Sequence, residues 1–383
     1  MSKKTLARDF PITLKCFYGF ELVLVDELEE LGYTKAEVLN RAVRIKGNWK
    51  DVYYLNLHCR CAISVLVEIM QFEIKEEKDL YKSAMEFDWT SLFSINKTFA
   101  IKGAIFSEIY KNTNYPFLLL KDAIVDTFRN KNGERPNIER KKPSVVFDLY
   151  VRNRSVTISI NTSGLPLFQR GYRQSTGLAP LNEVVAACLI RQSGWDKKTT
   201  FVDPFCGSGT LLIEAALYAN NIPSNIERRH YAFKSLLNYN EELWNSIYTE
   251  VKQGVRNMPC TILGFDVSDE MVLKSKRNMR TFSFGRFIKV QAKDFKTIRL
   301  NDLEGGLFIL TNPPYGERIQ TDIETLYQEL GKWLKFDIPN SECWIISSSE
   351  EGFKNIGLKH DKKLKVFNGD LECSFRKYVL YKS

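Results

Sequence analysis

The chain has 383 residues, more than one hydrophobic core usually serves, so at least two domains are expected. Hydrophobic residues make up 44% and charged residues 26%, which excludes extensive disorder. Lys and Arg outnumber Asp and Glu by 55 to 46, a net charge of +9; this is the sign that a polyanion binder carries, and by itself it selects no partner.

The first ten residues, MSKKTLARDF, are basic but lead into no apolar core. No apolar run reaches the roughly 18 to 20 residues of a membrane span, so no membrane association is expected and the chain reads as cytoplasmic. The N-terminal part has an α+β pattern: ITLKCF as a strand, GFELVLVDELEELG as a helix ended by Gly32, AEVLNRAVRIKG as β structure broken at Gly47, then a helix over WKDVYYLNLHCR. The cluster His58-Cys59-Arg60-Cys61 invites a metal, but it runs into β-rich AISVLVEIM, and only His230 and His360 remain as further histidines. No metal is expected. The eight cysteines form no paired CxxC framework and read as reduced thiols.

A second α+β block follows, with strand candidates SVLVEIMQF, TFAIKGAIF and SVVFDLYVRNRSVTISI and a helix PFLLLKDAIVDTFRNKN. Polar Arg152, Asn153 and Arg154 divide the last run into a hairpin, and the block should end near Asn161.

From Leu181 onward helices and β-rich runs alternate: NEVVAACLIRQSG, FVDPF, LLIEAALYA, ILGFDV, EMVLKSKRNMR. This βαβ series predicts an α/β domain with a mostly parallel sheet and ligands at the carboxyl ends of its strands. The stretch from Asn220 to Cys260, with Arg228, Arg229, His230 and a helical EELWNSIYTEV, interrupts the series as an insertion; it either caps the sheet or touches substrate.

Phe201 to Thr210 read as a strand and a tight glycine loop opening a helix, and Gly207 and Gly209 let the backbone approach a ligand closely. The loop has no lysine for a phosphate-binding GK[ST] pattern and no third glycine for a dinucleotide fingerprint. Asp266 ends the next strand, where a carboxylate can accept from both hydroxyls of a ribose. Asp294 and Phe295 would suit an adenine, the acid for its amine and the ring for its face. Any one such acid could equally be a helix N-cap. Glycine loop, ribose acid and adenine acid nevertheless come in the order that an adenosyl cofactor needs.

The apolar strand Leu307–Thr311 runs into Asn312-Pro313-Pro314-Tyr315-Gly316. The two prolines stiffen the backbone and remove donors, leaving the Asn312 amide oxygen and nearby carbonyls as acceptors for an amine. Such acceptors help an exocyclic amino nitrogen of a base regain tetrahedral character as it attacks a sulfonium methyl, and Tyr315 can stack on a base swung out of its helix or loop. An isolated proline pair could be only a rigid turn. No cysteine lies in this loop, which argues against cytosine C5 methylation.

Taken together, NTSGLPLFQRGYR, LAPLNE, DPFCGSGTLLIEAA, GFDVS, TNPPYGERI and NGDLECSFRKY resemble the THUMP-domain RNA guanine-N2 methyltransferases of the RlmL N-terminal-half type, over almost the whole chain. The resemblance implies a Rossmann-like class I methyltransferase domain at 164–383, preceded by a ferredoxin-like region at 1–60 and a THUMP RNA-binding domain at 61–163. It also implies S-adenosyl-L-methionine as cofactor, one methylation reaction and RNA as substrate, with 23S rRNA first and tRNA as the alternative. A DNA adenine-N6 methyltransferase and a non-catalytic RNA-binding assembly factor are further readings.

Residue by residue, Asp203, Pro204, Phe205, Cys206, Gly207, Ser208, Gly209, Thr210, Asp266, Asp294 and Phe295 fall on cofactor positions. Ala179 and Pro180 fall on the segment that closes over the methionine end, and Asn312, Pro313, Pro314 and Tyr315 on the catalytic loop. Asn161 replaces an aspartate common in the DTSG-like turn. For RNA phosphates the implied THUMP domain offers a basic loop, Arg129, Lys131, Arg135, Arg140, Lys141 and Lys142, opposed by only Glu134 and Glu139; the bland alternative is solvated surface.

Overall fold

The structure is a computed structural model describing residues 9–174, 181–253, 260–299, 306–314 and 322–381. Ala179, Pro180 and Tyr315 lie outside the described residues. Among those described, fourteen strands form two sheets of seven, and no helix is long and apolar enough to cross a membrane.

The first sheet has the order β2-β3-β1-β4-β7-β6-β5, from Glu37–Leu39 (β2), Ala42–Gly47 (β3), Phe10–Lys15 (β1), Ser64–Glu73 (β4), Ser155–Asn161 (β7), Val145–Arg152 (β6) and Phe99–Phe106 (β5). The expected hairpin joins β6 to β7 through Asn153, which turns with φ +54°. A division at 60/61 does not separate two bodies here. Strand β4 is ten residues long, and it pairs antiparallel with β1 through Ser64–Val67 and with β7 through Leu66–Glu73. One strand therefore fuses the ferredoxin-like and THUMP-like parts into a continuous sheet, because it can bond along both edges.

Helices Glu21–Glu30 (α1) and Trp49–His58 (α2) cover the first part of this sheet. A reciprocal capping box of Asn48 and Asp51 starts α2, directly after the strand that ends at Gly47. The THUMP-like part adds Asp79–Met85 (α3) and the long helix Tyr115–Asn132 (α4), whose proline in the first turn and left-handed Gly133 after the last residue mark its two ends.

The second sheet has the order β10-β9-β8-β11-β12-β14-β13: Ile288–Ala292, Ile262–Asp266, Thr200–Asp203, Leu307–Thr311, Ser341–Ser347, Leu371–Leu380 and Lys362–Asn368. Its first five members are parallel, and β14 runs antiparallel to β12 and β13. From β8 the chain winds one way to β9 and β10, then returns to β11 on the other side, so the topological switch point lies between β8 and β11. Helices Glu183–Ser193 (α5), Thr210–Ala219 (α6), Glu241–Gln253 (α7), Asp269–Met279 (α8), Ile323–Phe336 (α9) and Glu350–Asn355 (α10) belong to this half.

The insertion braces the two halves. Its backbone amides at Asn225 and Phe233 donate to the carbonyls of Leu57 and Thr162, and Phe233 and Trp244 pack on Tyr53 of α2 at 4.6 and 6.2 Å. Arg228, one of its two candidate substrate arginines, is buried and donates to the carbonyls of Ser163, Leu165, Pro166, Gln169 and His230. It therefore shapes the linker and is closed to substrate. In the same linker Asn161 accepts from the amides of Ser163 and Gly164, a turn for which an amide oxygen serves as well as a carboxylate. Deeper still, Arg170 and Glu214 form a fully buried pair at 3.4 Å, with Arg170 also bonded to the Cys59 and Arg60 carbonyls of the N-terminal half.

Candidate active site

The carboxyl ends of β8, β9, β10 and β11 bring Asp203, the glycine loop, Asp266, Asp294 and Asn312 to one edge of the sheet. Strand β8 is wholly buried and ends at Asp203, which is 1% exposed. Oδ1 of Asp203 accepts from the Phe205 amide and from the Thr311 hydroxyl at the end of β11. Burial lifts its carboxyl to about 7, against the pull of these two donors and with a small upward push from Asp266.

The loop after β8 is tied to β9 by the Cys206 amide, which donates to the Phe265 carbonyl. Gly207 and Gly209 both have positive φ, +52° and +83°. A Cβ on Gly207 would meet nothing within 4 Å, so this glycine faces the opening. A Cβ on Gly209 would come within 2.3 Å of the Ser275 hydroxyl, so Gly209 is required both by its backbone and by the approach of α8. Gly264, in the middle of β9, is also needed: a Cβ there would lie 2.3 Å from Leu212 and 3.2 Å from Cys206.

Asp266 holds the glycine loop. Its Oδ2 accepts from the Gly207 amide and its Oδ1 from the Ser268 amide, both at 2.9 Å. Each oxygen retains a second lone pair, so a vicinal diol can be accepted without breaking either bond. Burial raises this carboxyl also, with the two amides opposing. Asp294 is drawn beside it because the Lys293 amide donates to the Asp266 carbonyl. Asp294 caps the turn Phe295–Thr297 by accepting from the Lys296 amide, and its side chain stays 38% exposed. It thus serves as a cap through Oδ1, while Oδ2 lies 3.5 Å from the Lys296 ammonium.

Phe295 occupies a different place from the one its position suggests. Its ring is buried between Phe205, at 5.0 Å, and Trp333, at 5.6 Å. The half-buried ring of the pair is Phe205, and Phe295 supports it from the core.

Strand β11 is entirely buried and delivers Asn312, Pro313 and Pro314 to the same edge. Oδ1 of Asn312 is buried and has no hydrogen-bond partner among the described residues. A buried acceptor left unmade costs about 1–3 kcal/mol, so its retention points to a donor that arrives from outside.

Two residues not assigned from sequence join this site. Arg173 donates to Glu183 at 2.6 Å, to the Leu181 carbonyl and to the Thr210 hydroxyl, linking the start of α5 to the start of α6; its Nη1 is buried and unpartnered. Asn278 of α8 donates to the Ser208 carbonyl and accepts from the Gln174 amide, fixing the glycine loop from behind. Arg173 stands at the end of the linker motif NTSGLPLFQRGYR, whereas Asn278 sits in an ordinary amphipathic helix and gives no sequence signal.

The six basic residues expected to face RNA are all exposed, but they do not form one loop. Arg129 and Lys131 belong to the last turn of α4, where they pair with Asp126 at 3.2 Å and Asp88 at 2.7 Å. Arg135, Arg140, Lys141 and Lys142 follow in the loop without ion-pair partners among the described residues. Arg129 and Arg135 line a cavity of about 350 Å³ with Lys121 and Asn137.

Comparison with known proteins gives the family. Residues 170–377 match the family described as RMKL-like, methyltransferase domain; residues 11–66 match the RlmL ferredoxin-like domain and residues 75–161 the THUMP domain. The ribosomal RNA large subunit methyltransferase K/L of Shewanella frigidimarina is 35% identical over 370 residues, covering 95% of this chain, and the chain spans about half (52%) of that relative's length. Among solved structures, SMU.472 in complex with SAH is 26% identical with a TM-score of 0.86, covering 98% of this chain and 99% of that one. A possible methylase from Clostridium difficile 630 is 28% identical at the same TM-score of 0.86, with the same coverage of 98% and 99%. The resemblance read from the motifs thus holds: the chain belongs to the RMKL-like methyltransferase family.

Proposed function

We propose that this chain methylates the exocyclic N2 of a guanine in RNA, using S-adenosylmethionine, with large-subunit ribosomal RNA as substrate and the cytoplasm as its place of action. The observation that carries this is the buried Oδ1 of Asn312 at the switch point, which has no hydrogen-bond partner among the described residues. It is an acceptor without a donor, and an amino group supplies one.

S-adenosylmethionine, when bound, supplies an electrophilic methyl group on a sulfonium centre. The cradle fits that cofactor: Asp266 has free lone pairs for two ribose hydroxyls, the carboxylate of Asp294 is 38% exposed and can accept from an amine beside its contact with Lys296, and Gly207 faces open space. Asn312 and the main-chain carbonyls of its prolines orient the amine hydrogens, so the nitrogen lone pair is freed from the ring as it is aligned. Tyr315 is assigned the stacking position on the base. Arg173 and the segment holding Ala179 and Pro180 are assigned to the methionine end. No strong general base is needed, because the amine becomes acidic once alkylated.

The SAH held by SMU.472 supports the cofactor, and the name of the Shewanella frigidimarina relative supports the RNA. Arg135, Arg140, Lys141 and Lys142 give the THUMP part an exposed positive surface for phosphates.

The test is transfer of labelled methyl from S-adenosylmethionine to total RNA and ribosomal particles from cells lacking this protein, with digestion to nucleosides. N2-methylguanosine in large-subunit rRNA is the expected product. The same nucleoside in tRNA alone would replace the RNA assignment, and an absence of label in every fraction would overturn the enzymatic reading.

A further inference from the structure

The far end of β8 carries a cavity that the methyl-transfer reading does not use. It has a volume of about 320 Å³ and lies where α1 and the end of α2 meet α5, α6 and the turn before β8. The candidate active site is at the Asp203 end of that strand; this cavity is at the Thr200 end, so one site cannot be an extension of the other.

Its walls hold more positive charge than they can satisfy. Arg60, Arg191, Lys197 and Lys198 line it, and three of these cations converge on one ring: Arg60, Arg191 and Lys197 lie 5.6, 5.2 and 4.4 Å from the centroid of Tyr218. Attraction to the ring face offsets only part of the mutual repulsion of three cations gathered this closely. Arg60 is 7% exposed. It donates through Nη2 to the Ile222 carbonyl, but its Nη1 is buried without a partner, as are Nε of Arg191 and Nε2 of His58.

Of the three carboxylates in the same wall, one pairs with a cavity cation and two are taken up by backbone amides. Glu27 accepts from the amides of Arg60 and Cys61, Asp196 from the amides of Lys198 and Thr199, and Glu30 binds Nη1 of Arg191 at 2.9 Å. Burial and the charge on Arg60 keep His58 neutral, pulling it down to about 3. Four cations thus line the cavity against three acids, and of the four only Arg191 has an ion-pair partner among the described residues.

We propose that this interdomain cavity is a second ligand site that binds a phosphate group. A phosphate has acceptor oxygens on every side and a negative charge to hold the three cations together, and guanidinium groups are suited to it in shape. The volume, at the lower end of the range for ligand pockets, leaves room for more than the phosphate alone. Because the site is built from both halves of the chain, its occupation tightens the joint between them.

Calorimetric titration of the full chain with inorganic phosphate, guanosine monophosphate and an RNA oligonucleotide tests this, alongside the double variant Lys197→Asn, Lys198→Gln. Asparagine is chosen because Lys197 has φ +64°, a backbone that asparagine tolerates. Expected are saturable phosphate binding, a melting temperature that rises with phosphate, and at least a tenfold loss of affinity in the double variant. Guanosine monophosphate binding tighter than phosphate identifies a free nucleotide as the source; a matching fall in RNA affinity identifies the RNA backbone. No saturable binding of phosphate or guanosine monophosphate, or equal binding by the variant and the parent chain, overturns the proposal.

Discussion

The hydroxyl of Thr311 donates to Oδ1 of Asp203 at 2.6 Å, across 108 residues of sequence. This bond closes the switch point: beyond the backbone pairing of Leu307–Ile309 with Thr200–Val202, it ties the end of the strand that opens into the glycine loop to the end of the strand that opens into Asn312. A carboxylate this deeply buried is unusual unless paired with a cation, and here its donors are a hydroxyl and an amide.

The state of that carboxylate should be visible in stability. Burial raises Asp203 from 3.8 to about 7, so between these values the native chain holds a proton that the unfolded chain releases. The contribution is complete below the unfolded value and is lost as pH rises through about 7. The whole rise corresponds to at most about 4 kcal/mol. Asp203→Asn cannot ionise, so its melting temperature should fall less than that of the parent chain between pH 5 and pH 8. Parallel curves would mean that Asp203 does not titrate in this window.

Asn312→Ala should separate stability from activity. The Oδ1 it removes has no partner among the described residues, so the substitution sheds a buried orphan acceptor. Melting temperature and cofactor affinity should stay close to those of the parent chain, while single-turnover methyl transfer falls by about 10²–10³. A variant that transfers methyl at the parent rate would remove Asn312 from the reacting atoms.

For Gly209→Ala two costs act together: a left-handed backbone at φ +83° and a clash with the Ser275 hydroxyl at 2.3 Å. The backbone part is about 1–2 kcal/mol. Adding Ser275→Ala should relieve the clash but not the backbone strain, so the double variant should recover only part of the lost denaturation midpoint. Full recovery would show that the φ of this loop is readily relaxed.

Arg170 and Glu214 are each wholly buried, and Glu214 also accepts from the Tyr172 hydroxyl. Arg170→Met leaves a lone carboxylate in the interdomain core and should destabilise the chain by about 3–5 kcal/mol in urea denaturation. Pairing it with Glu214→Leu should restore much of that. If the double variant is no better than the single one, the loss comes from the other acceptors Arg170 holds, the carbonyls of Cys59, Arg60 and Leu167 and the Asn225 amide oxygen.

Replacing Arg140, Lys141 and Lys142 together should weaken RNA binding and reduce the slope of log affinity against log salt by about one for each phosphate no longer neutralised. The Arg129 and Lys131 positions, already paired with Asp126 and Asp88, should contribute less. Filter binding across a salt series measures both, and an unchanged slope in the triple variant would take the loop out of the RNA surface.

Much of this molecule is legible in the chain because much of it is local. Periods of two and about 3.6 residues mark the strands of both sheets and helices such as α4 and α6; Gly32, Gly47 and the Asn153 hairpin mark their ends. The glycine loop, Asp266 and the NPPY segment can be ordered because each sits at the end of a strand, where the pattern itself changes. Strand β4 shows no sign of serving two partners, since a strand's second edge leaves no trace in its own side chains.

By itself, then, the sequence determined the types and order of the elements, the βαβ architecture and the strand ends at which candidate site residues stand, since these depend on side-chain spacing along a few turns of chain. Tertiary structure alone decided that Phe295 lies in the core with Phe205 above it, that Arg228 is closed off by five carbonyls, and that Arg60 and Arg191 meet over Tyr218. Each of those outcomes depends on which distant surfaces are brought together when apolar area is buried, and that choice is made by packing across the whole fold rather than by any local run of residues.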